Sequence, residues 1–341
     1  MEEQAVFCTV TTGVAGVVTR GWARRRLRRT NADVAVDLST TVGTVALPNP
    51  ILTAAGTAGF ATELSGWIDL ASLGAVVVKS LSPEAWDGNR PPRVHGIDAG
   101  MINAVGLQNP GVEAWIATDL PRLRATGARV VASIWGFRVD DYAAAARALQ
   151  GIEGLTAIEV NVSCPNLEDR RHVFGHSTDG TTAVLAAVRQ ALPTTPLWAK
   201  LSPNVTSVVD IAGAALDAGA DALVLINTVM GLVIDTHTRR PALGNGGGGI
   251  SGPAIRPIAV RAIYDVRAAF PTAPIVGVGG VANGEHAVEL LLAGANAVEI
   301  GTATFFDPAA PARILAELRQ WCTEHHVGHL SELVGAAHAM P

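Results

Sequence analysis

The stretch AIEVNVSCPN, residues 157–166, begins as an apolar, β-branched strand pattern and ends in polar residues around a proline. Because proline cannot donate a hydrogen bond to a sheet, we expect Asn161, Ser163, Cys164 and Asn166 to lie beyond the C-terminal end of the strand. Active sites of parallel α/β proteins lie at that end. The pattern predicts either a site that holds a flat polar ligand beside a thiol, or an Asx-rich turn around an inert buried cysteine.

The strand pattern of residues 157–161 is one of eight in the chain, with Ala- and Leu-rich helical patterns between them, for instance at 138–149, 180–192, 206–218, 284–293 and 308–324. Gly-Ala pairs at 74, 127, 219 and 294 precede four of the strands, and glycine there can close the preceding helix in the left-handed conformation. Eight βα units predict a (β/α)8 TIM barrel rather than an open sheet. The other predicted strands are 51–55, 75–79, 129–134, 197–201, 222–226, 275–279 and 297–301.

The composition is that of a globular protein, with 49% hydrophobic and 16% charged residues in 341. We expect residues 1–34 to form an extension, either disordered or a basic arm, and residues 35–341 to form the barrel domain. Six arginines lie in the extension, and the rest of the chain has 19 basic against 27 acidic residues, which does not favour nucleic-acid binding. Three widely spaced cysteines indicate the reducing cytoplasm, and no apolar run is long enough for a transmembrane helix.

Lysine is almost absent from the chain. Of 25 basic residues only Lys79 and Lys200 are lysines, and each stands at the end of an apolar strand pattern. Buried lysines are uncommon unless they are paired or functional. We therefore predict that both contribute to a site, with a structural ion pair as the alternative.

Two long βα loops are expected over the C-terminal face of the barrel. One runs from Ser80 to about Ala128 and contains GMINAVGLQNPG (100–111), and the other, 166–179, is a candidate lid. The residues that follow the strands converge at this face. They are Ala55, Gly56, Lys79, Ser80, Ser133, Asn161, Cys164, Lys200, Asn227, Thr228, Gly279, Gly280, Gly301 and Thr302.

Small residues after the seventh and eighth strands, with Ser251 and Gly252, are typical of a phosphate site in a barrel. GVGGVANG (277–284) lacks the context of a dinucleotide fingerprint, and GNGGGGISG (244–252) indicates a flexible loop. Cys322 and the nearby histidines have spacings that zinc sites also use, but they follow the last helix, away from the mouth. We predict no metal.

The motifs TAAGT, VVKS, NAVGLQNPG, EVNVSCPN, KLSPN, INTVMG, SGPAIRPIA, GVGGV and EIGTATF occur in an order and spacing that resembles class 1 dihydroorotate dehydrogenases, most closely class 1B. The resemblance covers essentially all of 37–310. It implies FMN at the barrel mouth with dihydroorotate lying on it. The residues that would hold FMN are Ala55, Gly56, Lys79, Ser80, Asn161, Lys200, Ile226, Gly252, Gly279, Gly280, Gly301 and Thr302.

The resemblance also implies that Cys164 is the catalytic base, supported by Lys79 and Lys200. Ser133 stands where the resemblance leads us to expect Asn, so that its contact with the flavin would be shortened or bridged by water. A dimeric core and an iron–sulfur, FAD-containing electron-transfer partner are implied as well. The residues that would hold the pyrimidine are Lys79, Asn103, Ala104, Val105, Gly106, Leu107, Asn161, Asn166, Asn227 and Thr228.

Oxidation of dihydroorotate removes a proton from C5 and a hydride from C6, so the base must face the flavin across the substrate. Three alternatives remain at the level of sequence. A dihydrouracil-type dihydropyrimidine dehydrogenase would share the barrel and the cysteine. A Schiff-base aldolase would also place lysine at a strand end. An inactive flavin-binding subunit would have the fold without turnover.

Overall fold

The predicted strands form the wall of one barrel in a computed structural model that describes residues 36–163 and 173–339. The strands of these ranges are β1 (Thr40–Val42), β2 (Val45–Leu47), β3 (Ile51–Thr53), β4 (Val76–Val77), β5 (Val94–Ile97), β6 (Gly100–Asn103), β7 (Val130–Ile134), β8 (Leu155–Asn161), β9 (Leu197–Lys200), β10 (Ala222–Leu225), β11 (Val229–Gly231), β12 (Ile234–Asp235), β13 (Arg240–Pro241), β14 (Gly248–Ser251), β15 (Ile275–Val278) and β16 (Ala297–Ile300). The α-helices are α1 (Val112–Ala125), α2 (Val139–Leu149), α3 (Thr178–Ala191), α4 (Val208–Asp217), α5 (Arg256–Ala269), α6 (Gly284–Ala293), α7 (Ala303–Phe306) and α8 (Ala310–Glu324).

Eight parallel strands make the barrel, in the order β3, β16, β15, β10, β9, β8, β7, β4. An isolated parallel bridge between Leu52 and Ala75 joins the first strand to the last. The buried Thr53 side chain strengthens this seam, since its Oγ1 accepts from the backbone N–H of Val77 at 3.0 Å. The predicted (β/α)8 architecture is therefore confirmed, with helices between the strands.

The interior of the barrel is apolar toward the N-terminal ends of the strands. The hairpin of β1 and β2 packs Val42, Val45 and Leu47 against inward-facing residues such as Trp198 and Ala157. A second, larger core lies between the strands and the helices. Both faces of the strands are buried, which explains why their sequences are continuously apolar. The hairpin covers one end of the barrel and leaves the C-terminal end for a site.

The longest predicted loop, 80–128, is more regular than its Gly, Asn and Pro content indicated. It contains the hairpin of β5 and β6 and ends in α1, which buries Trp115 and Leu123 although Pro121 lies inside it. The hairpin joins β14 and β11 in a four-stranded antiparallel sheet. The prediction of a flexible loop at 244–252 is partly wrong, because Gly248–Ser251 forms strand β14 and pairs with β6 in this sheet.

The remaining expectations divide between described and undescribed residues. Gly127, Gly219 and Gly294 have positive φ angles as predicted, whereas Gly74 does not and follows a short 3-10 helix, Leu70–Ser72. Residues 1–34 and the first part of the candidate lid lie outside the described residues. The later part of the candidate lid forms the 3-10 helix Phe174–His176 and the start of α3. Within the described ranges no helix has the length and apolarity that crossing a membrane requires.

Candidate active site

A cavity of about 490 Å³ opens at the C-terminal ends of the barrel strands. Its size is that of a small-molecule or cofactor site. The strand ends of β3, β4, β8, β9, β10, β15 and β16 contribute Ala55, Lys79, Asn161, Lys200, Ile226, Gly279 and Gly301. The convergence predicted from the strand repeats thus brings residues from the ends of seven of the eight barrel strands into one space.

Most of the predicted site residues line this cavity. From the predicted cofactor set these are Ala55, Gly56, Lys79, Ser80, Asn161, Lys200, Ile226, Gly252, Gly279, Gly280, Gly301 and Thr302. From the predicted substrate set Asn103, Val105, Gly106, Leu107, Asn227 and Thr228 also line it. Ser133 and Ala104 are buried and are not among the described residues of the lining. Cys164 and Asn166 lie outside the described residues.

Lys200 is buried between two carboxyl groups. Its Nζ atom lies 2.9 Å from Oε2 of Glu299 and 3.4 Å from Oε2 of Glu159, and both glutamate side chains have no solvent exposure. Lys200 therefore lines the cavity and also forms the structural ion pair that was the alternative, while its contribution to a functional site stays a prediction. The two glutamates were not predicted from the sequence, although a charged residue inside an otherwise apolar strand (AIEVN, AVEIG) is a signal that could have found them.

The ionisation of this cluster follows from its burial and its composition. Burial lowers the pKa of Lys200, but attraction to Glu159 and Glu299 outweighs burial and raises this pKa above its ordinary value. Burial raises the pKa of Glu299 to about 8, because Lys200 opposes this change only in part and the carboxyl group of Glu159 adds to it. The two pKa values rise for different reasons: the two acids stabilise the charged form of Lys200, whereas burial and the neighbouring Glu159 destabilise the charged form of Glu299.

Ser133 connects this cluster to the polar residues nearer the cavity. Its Oγ donates to Oε1 of Glu159 at 3.0 Å and lies 2.9 Å from Oγ of Ser80. Ser80 in turn accepts from Nδ2 of Asn161 at 3.4 Å. A continuous hydrogen-bonded path therefore runs from the interior of the barrel to the cavity wall.

A network of two amides and a hydroxyl forms the wall beside β8. Asn161 accepts at Oδ1 from Oγ of Ser163 at 2.9 Å and from Nδ2 of Asn227 at 3.3 Å. Nδ2 of Asn227 also donates to Oγ of Ser163 at 2.7 Å, and the phenol of Tyr142 fixes the main chain by donating to the backbone carbonyl of Asn161 at 2.8 Å. These bonds determine the orientation of both amides before any ligand arrives.

Lys79 and Gly56 lie against each other at the cavity wall. Gly56 has a φ of 88°, and a Cβ atom placed on it would lie 3.3 Å from Nζ of Lys79. A side chain at this position would be strained in its backbone and would crowd the lysine. Glycine at residue 56 therefore leaves the space in which the ammonium group of Lys79 sits.

The structure adds lining residues that were not predicted from the sequence. The turn between β5 and β6, Asp98–Ala99, lines the cavity together with Gly100 and Met101. Phe305 and Phe306, on α7 beyond β16, line its rim and are 57% and 79% exposed. The turn could have been found from the Asp-Ala-Gly cluster between two short apolar runs, which is a hairpin signal.

Comparison with known proteins identifies the family. The family model described as dihydroorotate dehydrogenase matches residues 37–321. The chain belongs to the dihydroorotate dehydrogenase family. The resemblance seen in the sequence motifs is thereby confirmed.

Relatives with high identity have the names of dihydroorotate dehydrogenases. A protein of Desulforudis audaxviator, named dihydroorotate dehydrogenase B (NAD(+)), catalytic subunit, is 49% identical over 89% of this chain and 98% of its own length. A protein of Geobacter sp. strain M21 with the same name is 43% identical over 88% of this chain and 98% of its own. One from Solibacter usitatus, provisionally named dihydroorotate dehydrogenase A (fumarate), is 46% identical over 87% and 97%.

Dihydroorotate dehydrogenases are flavin-dependent, and the cavity residues fit a flavin. Gly252, Gly279 and Gly280 have positive φ angles and bring bare backbone to the cavity surface, as a phosphate-bearing ligand requires. Lys79 and Lys200 add positive charge, and apolar residues such as Ile226 and Ala55 offer contact to a flat ring. No group of three or more potential metal ligands occurs among the described residues.

Proposed function

We propose that this chain is the catalytic subunit of a class 1B dihydroorotate dehydrogenase, which binds FMN and oxidises (S)-dihydroorotate to orotate in pyrimidine biosynthesis. The observation that carries the proposal is the convergence of both lysines of the chain, the amides Asn161 and Asn227, and a glycine-rich backbone on one cavity. The small number of cysteines supports a cytoplasmic location.

The residues that would hold FMN are those of the cofactor set that line the cavity. Gly252, Gly279, Gly280, Gly301 and Thr302 supply small side chains and backbone for the phosphate, and the hydroxyl of Thr302 is held by a 2.8 Å hydrogen bond to Ser251. Lys200 offers a full positive charge to the pyrimidine part of the ring system. FMN supplies the acceptor for the hydride that leaves C6 of dihydroorotate.

The substrate would be recognised by Lys79 and by the amides of the cavity wall. Asn161 and Asn227 are oriented by Ser163, so that they present polar atoms at defined positions. A ligand that leaves such a buried amide unpaired loses about 1–3 kcal/mol per group. Asn103 and the loop around Gly106 and Leu107 approach from the antiparallel sheet above the barrel.

Cys164 would remove the proton from C5. It follows Ser163 directly in the chain, and Ser163 belongs to the amide network. An ordinary thiol has a pKa near 8.5, so about a few per cent is thiolate at neutral pH. We therefore expect turnover to rise toward alkaline pH.

The names of the relatives motivate a proposal for the electron acceptor. We propose that electrons pass to NAD through an iron–sulfur, FAD-containing partner and that two catalytic chains associate, as the resemblance to class 1B implies. The fumarate-named relative makes a direct small-molecule acceptor the alternative. Reoxidation of the reduced protein with NAD plus partner, with fumarate and with a quinone separates these possibilities.

A steady-state assay tests the proposed function. The purified protein, with its released flavin identified by chromatography, is given a dye acceptor together with either dihydroorotate or dihydrouracil. We expect FMN, and formation of orotate from dihydroorotate with at most trace oxidation of dihydrouracil. Turnover of dihydrouracil alone would assign the chain to the dihydropyrimidine dehydrogenases, and no turnover of either would indicate an inactive flavin-binding subunit.

A further inference from the structure

The barrel wall contains three ionisable side chains in its eight strands, and all three meet. They are Glu159 of β8, Lys200 of β9 and Glu299 of β16. The other five barrel strands read ILT, VV, VVASI, ALVL and IVGV and have no ionisable residue. Within the part of the chain that the structure describes, Lys200 and Glu159 are the groups that perturb Glu299. Lys79, which also lines the cavity, follows β4.

Counting charges in this cluster shows that one acid lacks a counter-ion. Two carboxylates and one ammonium ion would leave a net negative charge in the interior, where an uncompensated charge is strongly unfavourable. One proton on a carboxyl group removes that charge. The hydrogen bonds distinguish the two acids, because Glu159 accepts from Ser133 at Oε1 and from Lys200 at Oε2, so that both of its oxygens have a donor.

Glu299 is the acid with fewer partners. Its Oε2 accepts from Lys200, whereas its Oε1 is buried and has no hydrogen-bond partner among the described residues. A buried carboxylate oxygen without a donor is costly, and a carboxylic acid avoids part of that cost. The direction of its pKa, raised by burial, agrees with this assignment.

We propose that Glu299 holds a proton in the resting protein and acts as a positioning residue which, with Glu159, keeps Lys200 a full ammonium ion and sets how the reduction potential of the bound flavin varies with pH. The proposal deepens the proposed function and depends on it for the flavin. Under the proposed function, the hydride of dihydroorotate would deliver two electrons and one proton to the bound flavin and so add one negative charge to the site. Where Glu299 is already ionised, its carboxylate would then take up a second proton from solvent, which keeps the net charge unchanged.

The first experiment observes the proton without any flavin. Infrared spectra of the flavin-free protein are recorded between about pH 5 and about pH 10 for the wild type, Glu299→Gln, Glu159→Gln and the partly exposed control Glu289→Gln. We expect a carboxylic-acid carbonyl band in the wild type that disappears as the pH rises through about 8 and is absent from Glu299→Gln. In Glu159→Gln the band should disappear at lower pH, because the repelling carboxylate is gone. Glu289→Gln, whose carboxyl group pairs with Arg256 on the outer surface, should match the wild type.

The second experiment measures the reduction potential of the flavin-loaded protein against reference dyes over the same pH range. In the wild type the slope of potential against pH should double above the point where Glu299 ionises, since reduction then takes up two protons instead of one. Glu299→Gln should show the single slope throughout. A carbonyl band or a doubled slope that persists in Glu299→Gln would overturn the proposal. If the wild type shows the carbonyl band but does not oxidise dihydroorotate, the proposed function is refuted, whereas the protonation of Glu299 is still supported.

Discussion

Nζ of Lys200 lies 2.9 Å from Oε2 of Glu299 in the interior of the barrel, where the lysine side chain is 5% exposed and the glutamate side chain is not exposed at all. The two residues come from strands β9 and β16, which are not neighbours in the sheet, so this contact crosses the barrel interior. Such a pair contributes little net stability when complete, but removal of one partner is costly. Because the loss of one partner costs much more than the complete pair contributes, single substitutions in this cluster should have large effects on stability.

Replacement of Lys200 by Met should destabilise the fold and weaken flavin retention. Removal of the ammonium group leaves Glu159 and Glu299 buried without a counter-ion, and loss of one partner from a buried pair costs about 3–5 kcal/mol. Urea unfolding of the flavin-free protein measures this loss, which should increase with pH because the two acids must stay protonated. The triple variant Lys200→Met, Glu159→Gln, Glu299→Gln should recover much of the stability. Full stability and full flavin content of the single variant would contradict the role of Lys200.

The stability of the flavin-free protein should depend on Glu299 in a defined pH window. Its pKa rises from 4.5 in the unfolded chain to about 8 in the fold, so the folded state binds the proton more tightly. The contribution of Glu299 to stability is therefore fully present below about pH 4.5 and is lost as pH rises through about 8. Glu299→Gln lacks this dependence, so the stability difference between the two proteins should change by about 1 kcal/mol per pH unit within the window. Chemical unfolding at several pH values measures the free energy of unfolding of both proteins. A constant difference between the wild type and Glu299→Gln across the window would contradict the raised pKa.

Replacement of Gly56 by Ala should impair catalysis because the new methyl group would crowd the ammonium group of Lys79. Gly151 is the matched control, since its φ of 72° imposes similar strain but no atom lies within 4 Å of the position that the new methyl group would take. Both variants should lose about 1 kcal/mol of stability from the backbone conformation. Gly56→Ala alone should lose kcat/KM for dihydroorotate, by roughly tenfold or more. Equal kinetics of the two variants would show that the space beside Lys79 is not required.

Cys164→Ala should keep its yellow flavin and lose most of its turnover, while Cys164→Ser should keep a small part. The loss for a general base is typically about 10²–10⁴-fold. Cys322→Ala is the control, because that thiol lies on the buried face of α8 and does not line the cavity, and burial raises its pKa, so the change should leave turnover unchanged. The dependence of the wild-type rate on alkaline pH should vanish in Cys164→Ala. Equal turnover of the alanine, serine and wild-type proteins would refute the base assignment.

The sequence motifs were sufficient to predict the eight strands and most of the cavity lining, because residues that follow parallel strands must converge at one end of a barrel. The hairpin of β5 and β6 was not predicted, since its apolar runs are shorter than those of the barrel strands and β5 is mostly exposed. Glu159 and Glu299 were missed for a different reason. Their importance lies in a contact across the barrel interior, and the separation of 140 positions along the chain gives no hint of it.

Anaerobic titration of the flavin-loaded protein with dihydroorotate tests the central claim most directly, because it needs neither an electron acceptor nor a partner chain. We expect that about one equivalent of dihydroorotate per flavin bleaches the oxidised absorbance and that orotate appears in the same amount, whereas dihydrouracil leaves the spectrum unchanged. A flavin that stays oxidised under excess dihydroorotate would contradict the proposed activity.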